Sequence, residues 1–213
     1  EYYQKSAEKS DIDGFHNMAK MIKDGDGVEA DKVKAAQYFK KLADKNDKRS
    51  TKSMNMYAMM LNNGEGIQMN KKESFRYYQM SAEKGDLIGL TNYAKMLQEG
   101  IGTKLNQEEA LKFFKKAADQ REKYAAFKYA EMVENGIATK IDYKEAAKYY
   151  KISADEGFIK AMEKFGNMLL NGRGVELNKQ KAAYYLKKAA DNNNKIAIFT
   201  YSHMLEQGDG VAV

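Results

Sequence analysis

The chain has 213 residues, of which 43% are hydrophobic and 31% are charged, and its formal net charge is +6. It contains no cysteine, which excludes disulfides, thiolate metal sites and cysteine nucleophiles. No apolar run is long enough to cross a bilayer, and no signal peptide or N-glycosylation sequon is visible. We therefore expect a cytoplasmic protein, with a luminal location as the alternative.

A glycine recurs with a fixed period along the chain. It stands at Gly25, Gly64, Gly100, Gly136, Gly172 and Gly208, so successive copies are 39, 36, 36, 36 and 36 residues apart. A large residue in the segment after the glycine keeps the same period and the same three-residue shift, at Tyr3, Phe39, Tyr78, Phe114, Tyr150 and Leu186. A period of this length indicates a repeat architecture. The shift places an insertion between Asp44 and Ser53.

The first segment of each repeat has the pattern of an amphipathic helix, which we call helix A. Its predicted start is at Gly14, Ser53, Gly89, Ala125, Ala161 and Ala197. A large residue, a small residue, a methionine and an aliphatic residue follow in this order. The methionine and the aliphatic residue stand three and four positions after the large residue, which predicts one buried face. The methionines are Met21, Met60, Met96, Met132, Met168 and Met204. Without histidine or cysteine beside them, they indicate core packing rather than a soft-metal site.

A Gly-x-Gly turn separates helix A from a second helix, helix B. The first glycine is predicted to end helix A in the left-handed conformation. Ala138 replaces the second glycine in one copy, which suggests that only the first is sterically required. Helix B has a predicted N-cap in each repeat, at Asp31, Asn70, Asn106, Asp142 and Asn178. Glutamates three residues further on predict a capping box in three copies, at Glu73, Glu109 and Glu145.

These patterns predict an all-α fold, a right-handed α-solenoid of antiparallel helix pairs in which stacked repeats bury a continuous core. We expect a single solenoid over residues 1–213, and a segment of a longer array. Its predicted divisions are a partial helix B at 1–13, full repeats at 14–49, 50–88 (with the three-residue insertion), 89–124, 125–160 and 161–196, and a partial repeat at 197–213.

Residues 161–193 carry the fullest copy, with Gly-x-Gly-Val, an Asn cap, an aromatic pair and Lys-x-Ala-Ala in order. This order resembles the Sel1-like repeat, a relative of the tetratricopeptide repeat, and the resemblance covers essentially the whole chain. One departure is that tyrosine precedes and leucine follows the small residue of helix A, where the family usually has the reverse. The resemblance implies an adaptor or scaffold that assembles other proteins. A cysteine-rich, penicillin-binding branch is not matched, because this chain has no cysteine.

No residue set in the sequence indicates catalysis, a cofactor or a metal ion. The Gly-x-Gly pairs lack the third glycine and the Lys-Ser/Thr sequel of phosphate-binding loops. His16 and His203 are the only histidines and stand at different positions of different repeats. We therefore expect a non-enzymatic protein without cofactor, metal or small-molecule substrate.

Two surfaces remain as binding candidates. Lysines recur late in helix B, at Lys40/Lys41, Lys115/Lys116, Lys151 and Lys187/Lys188, and could follow a nucleic-acid backbone, although aspartates four residues on oppose their charge. The favoured surface is the concave face lined by helix A, with proteins as partners and no membrane insertion. By analogy with tetratricopeptide arrays, it comprises Asn55, Met59, Thr91, Lys95, Tyr124, Phe127, Glu131, Asn167, Phe199 and His203. Its aromatic residues are either binding anchors or packing contacts with the neighbouring helix A.

Overall fold

A computed structural model describes residues 12–210, which form eleven α-helices and no strand. The marker at Tyr3 and most of the predicted partial helix B at 1–13 lie outside the described residues. The chain divides into two compact units, residues 1–106 and 107–213. Unit 1 contains α1 (Ile12–Asp24), α2 (Lys32–Ala43), α3 (Thr51–Asn63), α4 (Lys71–Glu83) and α5 (Leu87–Glu99). Unit 2 contains α6 (Gln107–Ala118), α7 (Lys123–Asn135), α8 (Tyr143–Asp155), α9 (Ile159–Asn171), α10 (Lys179–Asp191) and α11 (Lys195–Gln207).

Each unit is a stack of antiparallel helix pairs, so the predicted fold class is confirmed. Odd-numbered helices are helix A and even-numbered helices are helix B. Within a unit, every helix packs against the helices before and after it in the chain. Helix A begins two residues earlier than predicted, for example at Leu87 and Ile159. None of the helices in residues 12–210 is long and apolar enough to cross a membrane.

The predicted apolar face of helix A forms the core. Met60 and Met132 are fully buried, and the large residue that precedes them, Tyr57 or Tyr129, is at most 5% exposed. The small residue between the two, Ala58 or Ala130, is also fully buried and leaves room for the neighbouring helix. The methionine positions therefore hold core residues in both units.

Both glycines of the turn have left-handed backbone conformations. The first, such as Gly64 with φ +71°, caps helix A as predicted. At Gly66, Gly102, Gly174 and Gly210 the second position also has no room for a side chain, so the prediction from Ala138 is wrong for those copies. A Cβ at Gly102 or Gly174 would overlap the backbone of the residue that begins the preceding helix B, Lys71 or Tyr143 respectively. The second glycine therefore sets how closely consecutive repeats approach within a unit.

The N-caps of helix B are confirmed wherever the cap bond is described. The side chains of Asp31, Asn70, Asp142 and Asn178 each accept a hydrogen bond from a backbone N–H in the first turn. The backbone N–H of the cap residue, however, donates to the carbonyl oxygen of helix A nine residues earlier, as from Asn70 to Leu61 (2.9 Å). That donor is therefore occupied, and the predicted capping box does not form at Glu145, whose carboxylate instead accepts from Tyr129 and Lys115.

Candidate protein-binding surface

The predicted concave residues differ widely in exposure. In unit 1, Asn55 is only 5% exposed, Lys95 is exposed, and Met59 and Thr91 are half-buried. In unit 2, Phe127 is 6% exposed and Phe199 is 76% exposed. His203 is also exposed, whereas Tyr124, Glu131 and Asn167 are half-buried. The two phenylalanines, which occupy equivalent positions, therefore have opposite environments.

Phe127 is a packing residue rather than an exposed anchor. Its ring lies 5.7 Å from that of Tyr150 in the helix B of its own repeat and 5.0 Å from that of Phe158, which precedes the next helix A. Phe158 in turn contacts the ring of Tyr124 at 6.1 Å, nearly edge-on. Tyr124, Phe127 and Phe158 thus form one aromatic cluster on the helix A surface of unit 2.

Phe158 occupies the N-cap position of α9 and makes no side-chain cap bond. The equivalent positions of α5, α7 and α11 hold Asp86, Glu122 and Asn194, and each of these side chains caps its helix, whereas the polar Ser50 of α3 makes no side-chain cap bond. Replacing a capping side chain with an apolar one costs a helix about 1 kcal/mol. A locally unfavourable residue that recurs in no other copy is typical of a functional position. Sequence reasoning missed Phe158, although alignment of the cap positions alone would have revealed it.

The aromatic cluster forms the floor of a groove across α7, α9 and α11. The groove has a volume of about 700 Å³ and contains three of the predicted residues, Tyr124, Phe127 and Glu131. Asn167, Phe199 and His203 are not among its lining residues. In unit 1, the predicted residues do not line a comparable groove among those described.

Charged side chains surround the aromatic floor. Lys128 pairs with Glu131 at 2.8 Å, and Lys164 lies 3.3 Å from Glu134, a carboxylate that also accepts a hydrogen bond from the Tyr150 hydroxyl. Burial and this bond together raise the pKa of Tyr150 far above its usual value, so the hydroxyl remains a donor. These contacts hold Lys128 and Lys164 along the groove.

The lysine surface of helix B is largely neutralised. Lys40, Lys151 and Lys187 form ion pairs with the aspartates four residues further on, at 2.7, 2.6 and 3.0 Å. Lys115 instead contacts Glu145 at 2.9 Å and the hydroxyls of two tyrosines. Because each first lysine has a carboxylate partner, this surface carries little of the continuous positive charge that a nucleic-acid backbone would require.

Tyrosine hydroxyls connect successive B helices within each unit. Tyr77 donates to Asp44 at 2.5 Å in unit 1, and Tyr149 donates to Asp119 at 2.5 Å in unit 2. Burial alone would raise the pKa of Asp44, but hydrogen bonds from Lys40 and Tyr77 outweigh it and lower that pKa. Burial and the bond to Glu145 raise the pKa of Tyr129 to about 12. These titratable groups form hydrogen bonds between successive repeats. Within residues 12–210, no cluster of three or more His, Asp or Glu side chains is arranged to hold a metal ion.

Comparison with known proteins agrees with this repeat organisation. The family model described as Sel1 repeat matches residues 1–11, 16–47, 51–86, 88–121, 123–158 and 159–194. A search of curated proteins found no significant match.

Solved structures share the fold. A protective antigen present in uropathogenic Escherichia coli strains, which displays an SLR fold, superposes with a TM-score of 0.91 at 24% identity, covering 97% of this chain and 44% of that one. A Sel1 repeat protein from Oxalobacter formigenes superposes with a TM-score of 0.80 at 25% identity, covering 91% of this chain and 78% of that one. The chain therefore spans less than half the length of the first of these proteins.

Proposed function

We propose that this chain, which belongs to the Sel1 repeat family, is a non-enzymatic scaffold that binds another protein through the helix A groove of unit 2. Sel1 repeats typically mediate protein–protein interaction, which supports the general role. The location of the surface is our own inference and stands on Phe158. This residue lacks the side-chain cap that Asp86, Glu122 and Asn194 provide, and it adds an aromatic ring to the groove floor.

Aromatic residues at the centre of a groove are common energetic anchors in protein recognition. The flanking ion pairs are half-exposed and provide the polar rim that surrounds such anchors. Binding energy would come from covering Phe158 and Tyr124, whereas Phe127 would support Phe158 from below.

Replacing Phe158 with asparagine tests the proposal, because the new cap offsets the loss of the ring contacts with Phe127 and Tyr124. The equivalent residue Asn194 accepts a hydrogen bond from the N–H of Ala197, so Phe158→Asn should restore the missing cap of α9 while removing the ring. We expect this variant to unfold at an equal or higher urea concentration than the wild type. We also expect it to lose the peptides that the wild type selects from a phage-displayed random library.

Tyr184→Ala is the matched control, because Tyr184 is a 53% exposed aromatic residue of helix B outside the groove. It should leave the selected peptides bound. If peptides bind the wild type and Phe158→Asn equally well, the groove is not the binding surface and the proposal is wrong.

A further inference from the structure

We infer that the helix A groove of unit 2 binds an extended acidic segment of another protein, which places an aromatic or large aliphatic side chain on Phe158. This inference rests on the proposed function and adds the chemistry of the partner. It follows from the charges that the groove leaves unpaired, the positions of those charges and the length of the groove.

The lining of the groove is positively charged. It contains Lys128, Lys160, Lys164 and Lys195 but only two carboxylates, Glu131 and Glu163. Glu131 is paired with Lys128, and Glu163 accepts a hydrogen bond from the Asn194 amide at 3.1 Å. Lys160 and Lys195 are exposed, and neither forms an ion pair with any residue of the described part of the chain.

Both unpaired lysines lie where positive charge is unfavourable for the helix that carries them. Lys160 is in the first turn of α9 and Lys195 begins α11, and neither helix has an acidic residue in its first turn. The N-terminal end of a helix carries a partial positive charge, so a lysine there is repelled and an anion is attracted. In unit 1 the lysine equivalent to Lys160, Lys52, lies 3.7 Å from Asp13 instead. The groove therefore combines two lysines that have no ion-pair partner within residues 12–210 with two positive helix ends. A bound carboxylate would be attracted to a lysine and to the helix end beside it.

The dimensions fit a short extended segment. The groove crosses three A helices, α7, α9 and α11. Packed helices lie about 8–10 Å apart, so three of them span about 20 Å. An extended chain rises about 3.3 Å per residue, which corresponds to about six residues. A carboxylate near the middle of such a segment could reach Lys160 on α9 and one at its end could reach Lys195 on α11, with an apolar side chain over Phe158 and beside Ile196.

Fluorescence anisotropy with designed peptides tests the inference. The probe is a fluorescein-labelled heptapeptide in which aspartate and glutamate flank one phenylalanine, and the comparison peptide has lysine and arginine instead of the acids. We expect the acidic probe alone to bind, and its affinity to fall as salt rises from about 0.05 M to about 0.5 M. Lys160→Glu combined with Lys195→Glu should weaken binding about tenfold or more.

Lys140→Glu combined with Lys144→Glu is the matched control. These two exposed lysines lie at the turn before α8 and in its first turn, outside the groove, and the double variant changes net charge by the same amount. It should bind the acidic probe like the wild type. Equal weakening by both double variants, or binding of the basic peptide, would overturn the inference.

The two proposals fail in different ways. If library peptides depend on Phe158 but carry no acidic residues, the partner chemistry is wrong and the groove remains the binding surface. If neither library peptides nor the acidic probe respond to Phe158→Asn, the proposed function itself fails.

Discussion

The fifth residue of helix A makes different contacts in the two units. In unit 1, Asn55 donates a hydrogen bond to Asp86, the N-cap of the next helix A, at 2.7 Å. In unit 2, the equivalent pair is Phe127 and Phe158, whose rings lie 5.0 Å apart. One repeat later the contact is polar again, from Asn194 to Glu163. The position links consecutive A helices in both units, so its chemistry is free to vary while its structural role is retained.

This difference shows which parts of the repeat are shared. The first turn glycine, the helix B caps and the methionine layer are equivalent in the two units, whereas the fifth position of helix A holds His16, Asn55 and Thr91 in unit 1 and Phe127, Glu163 and Phe199 in unit 2. A surface that can vary without loss of the fold is where binding specificity can evolve. We therefore expect changes at the turns and at the tyrosine hydrogen bonds to have similar effects in the two units, and changes at the fifth position to have different effects.

The largest effect is expected at the second glycine of the turn. Gly102→Ala in unit 1 and Gly174→Ala in unit 2 should each destabilise the protein by about 3 kcal/mol or more, because a Cβ adds overlap with the preceding helix B to the cost of a left-handed alanine. Urea unfolding followed by circular dichroism measures the loss. Unequal losses would show that the turns of the two units are not equivalent.

Gly85→Ala and Gly157→Ala are controls in the same two units. Both glycines have positive φ, but a Cβ there would meet no atom within 4 Å. Only the conformational cost of about 1 kcal/mol should appear.

The tyrosine hydrogen bonds that connect successive B helices should show a smaller effect. Tyr77→Phe removes one hydrogen bond to Asp44, whereas Tyr149→Phe removes bonds to both Asp119 and Lys115. We expect losses of about 1–2 kcal/mol, with the larger loss for Tyr149→Phe. Urea unfolding followed by circular dichroism measures these losses as well. A neutral result for Tyr149→Phe would mean that this network adds nothing to the stability of unit 2.

The sequence predicted the fold because the same constraints occur in every copy. Periodic apolar residues, the first glycine and the N-cap side chains are local signals, and all are confirmed where described. The second glycine was misjudged because its requirement is not local. It arises from the backbone of the preceding repeat, which one substitution at Ala138 concealed. The capping box failed for a similar reason, since helix A had already taken the donor.

The groove was predicted only in part. Helical spacing predicted Tyr124, Phe127 and Glu131, which line this groove, but spacing cannot say which of them a neighbouring helix covers. Phe158 lies in the connection before α9, outside the periodic pattern of helix A, so helical spacing could not identify it. Alignment of the cap positions shows that Phe158 is apolar, but only the structure shows that Asp86, Glu122 and Asn194 cap their helices and that Phe158 does not.

His16, at the fifth position of α1, should make the stability of unit 1 depend on pH. The pair of Phe127 and Phe158 cannot do this in unit 2, because neither side chain titrates. Burial, followed by the charge of Lys52, lowers the pKa of His16 from its usual 6.5, whereas the charge of Asp13 opposes this. The unfolded chain therefore binds the proton more tightly than the folded one. The contribution of neutral His16 to the free energy of unfolding is therefore complete above pH about 6.5, and it declines as the pH falls below that value.

We expect the urea midpoint to fall more steeply between pH about 7.5 and 5 in the wild type than in His16→Gln. Glutamine can still hydrogen-bond to Ser53, which lies 2.9 Å from the His16 ring nitrogen, but it does not titrate. Parallel curves for the two proteins would assign the acid sensitivity to other groups.

The smallest effect is expected at Ala138, the exception that separates one turn of unit 2 from the others. Ala138 adopts φ +57°, a left-handed conformation that costs alanine more than glycine, while the other turns have glycine at φ +67° to +72°. Ala138→Gly should therefore stabilise the protein, by about 0.5 kcal/mol once the greater flexibility of glycine in the unfolded chain is subtracted. A small increase in urea midpoint would show that this turn carries a local strain that the equivalent turns avoid. A decrease would mean that the Ala138 methyl group makes a favourable contact, so that this turn has become adapted to alanine and differs from Gly102 and Gly174 in packing as well as in sequence.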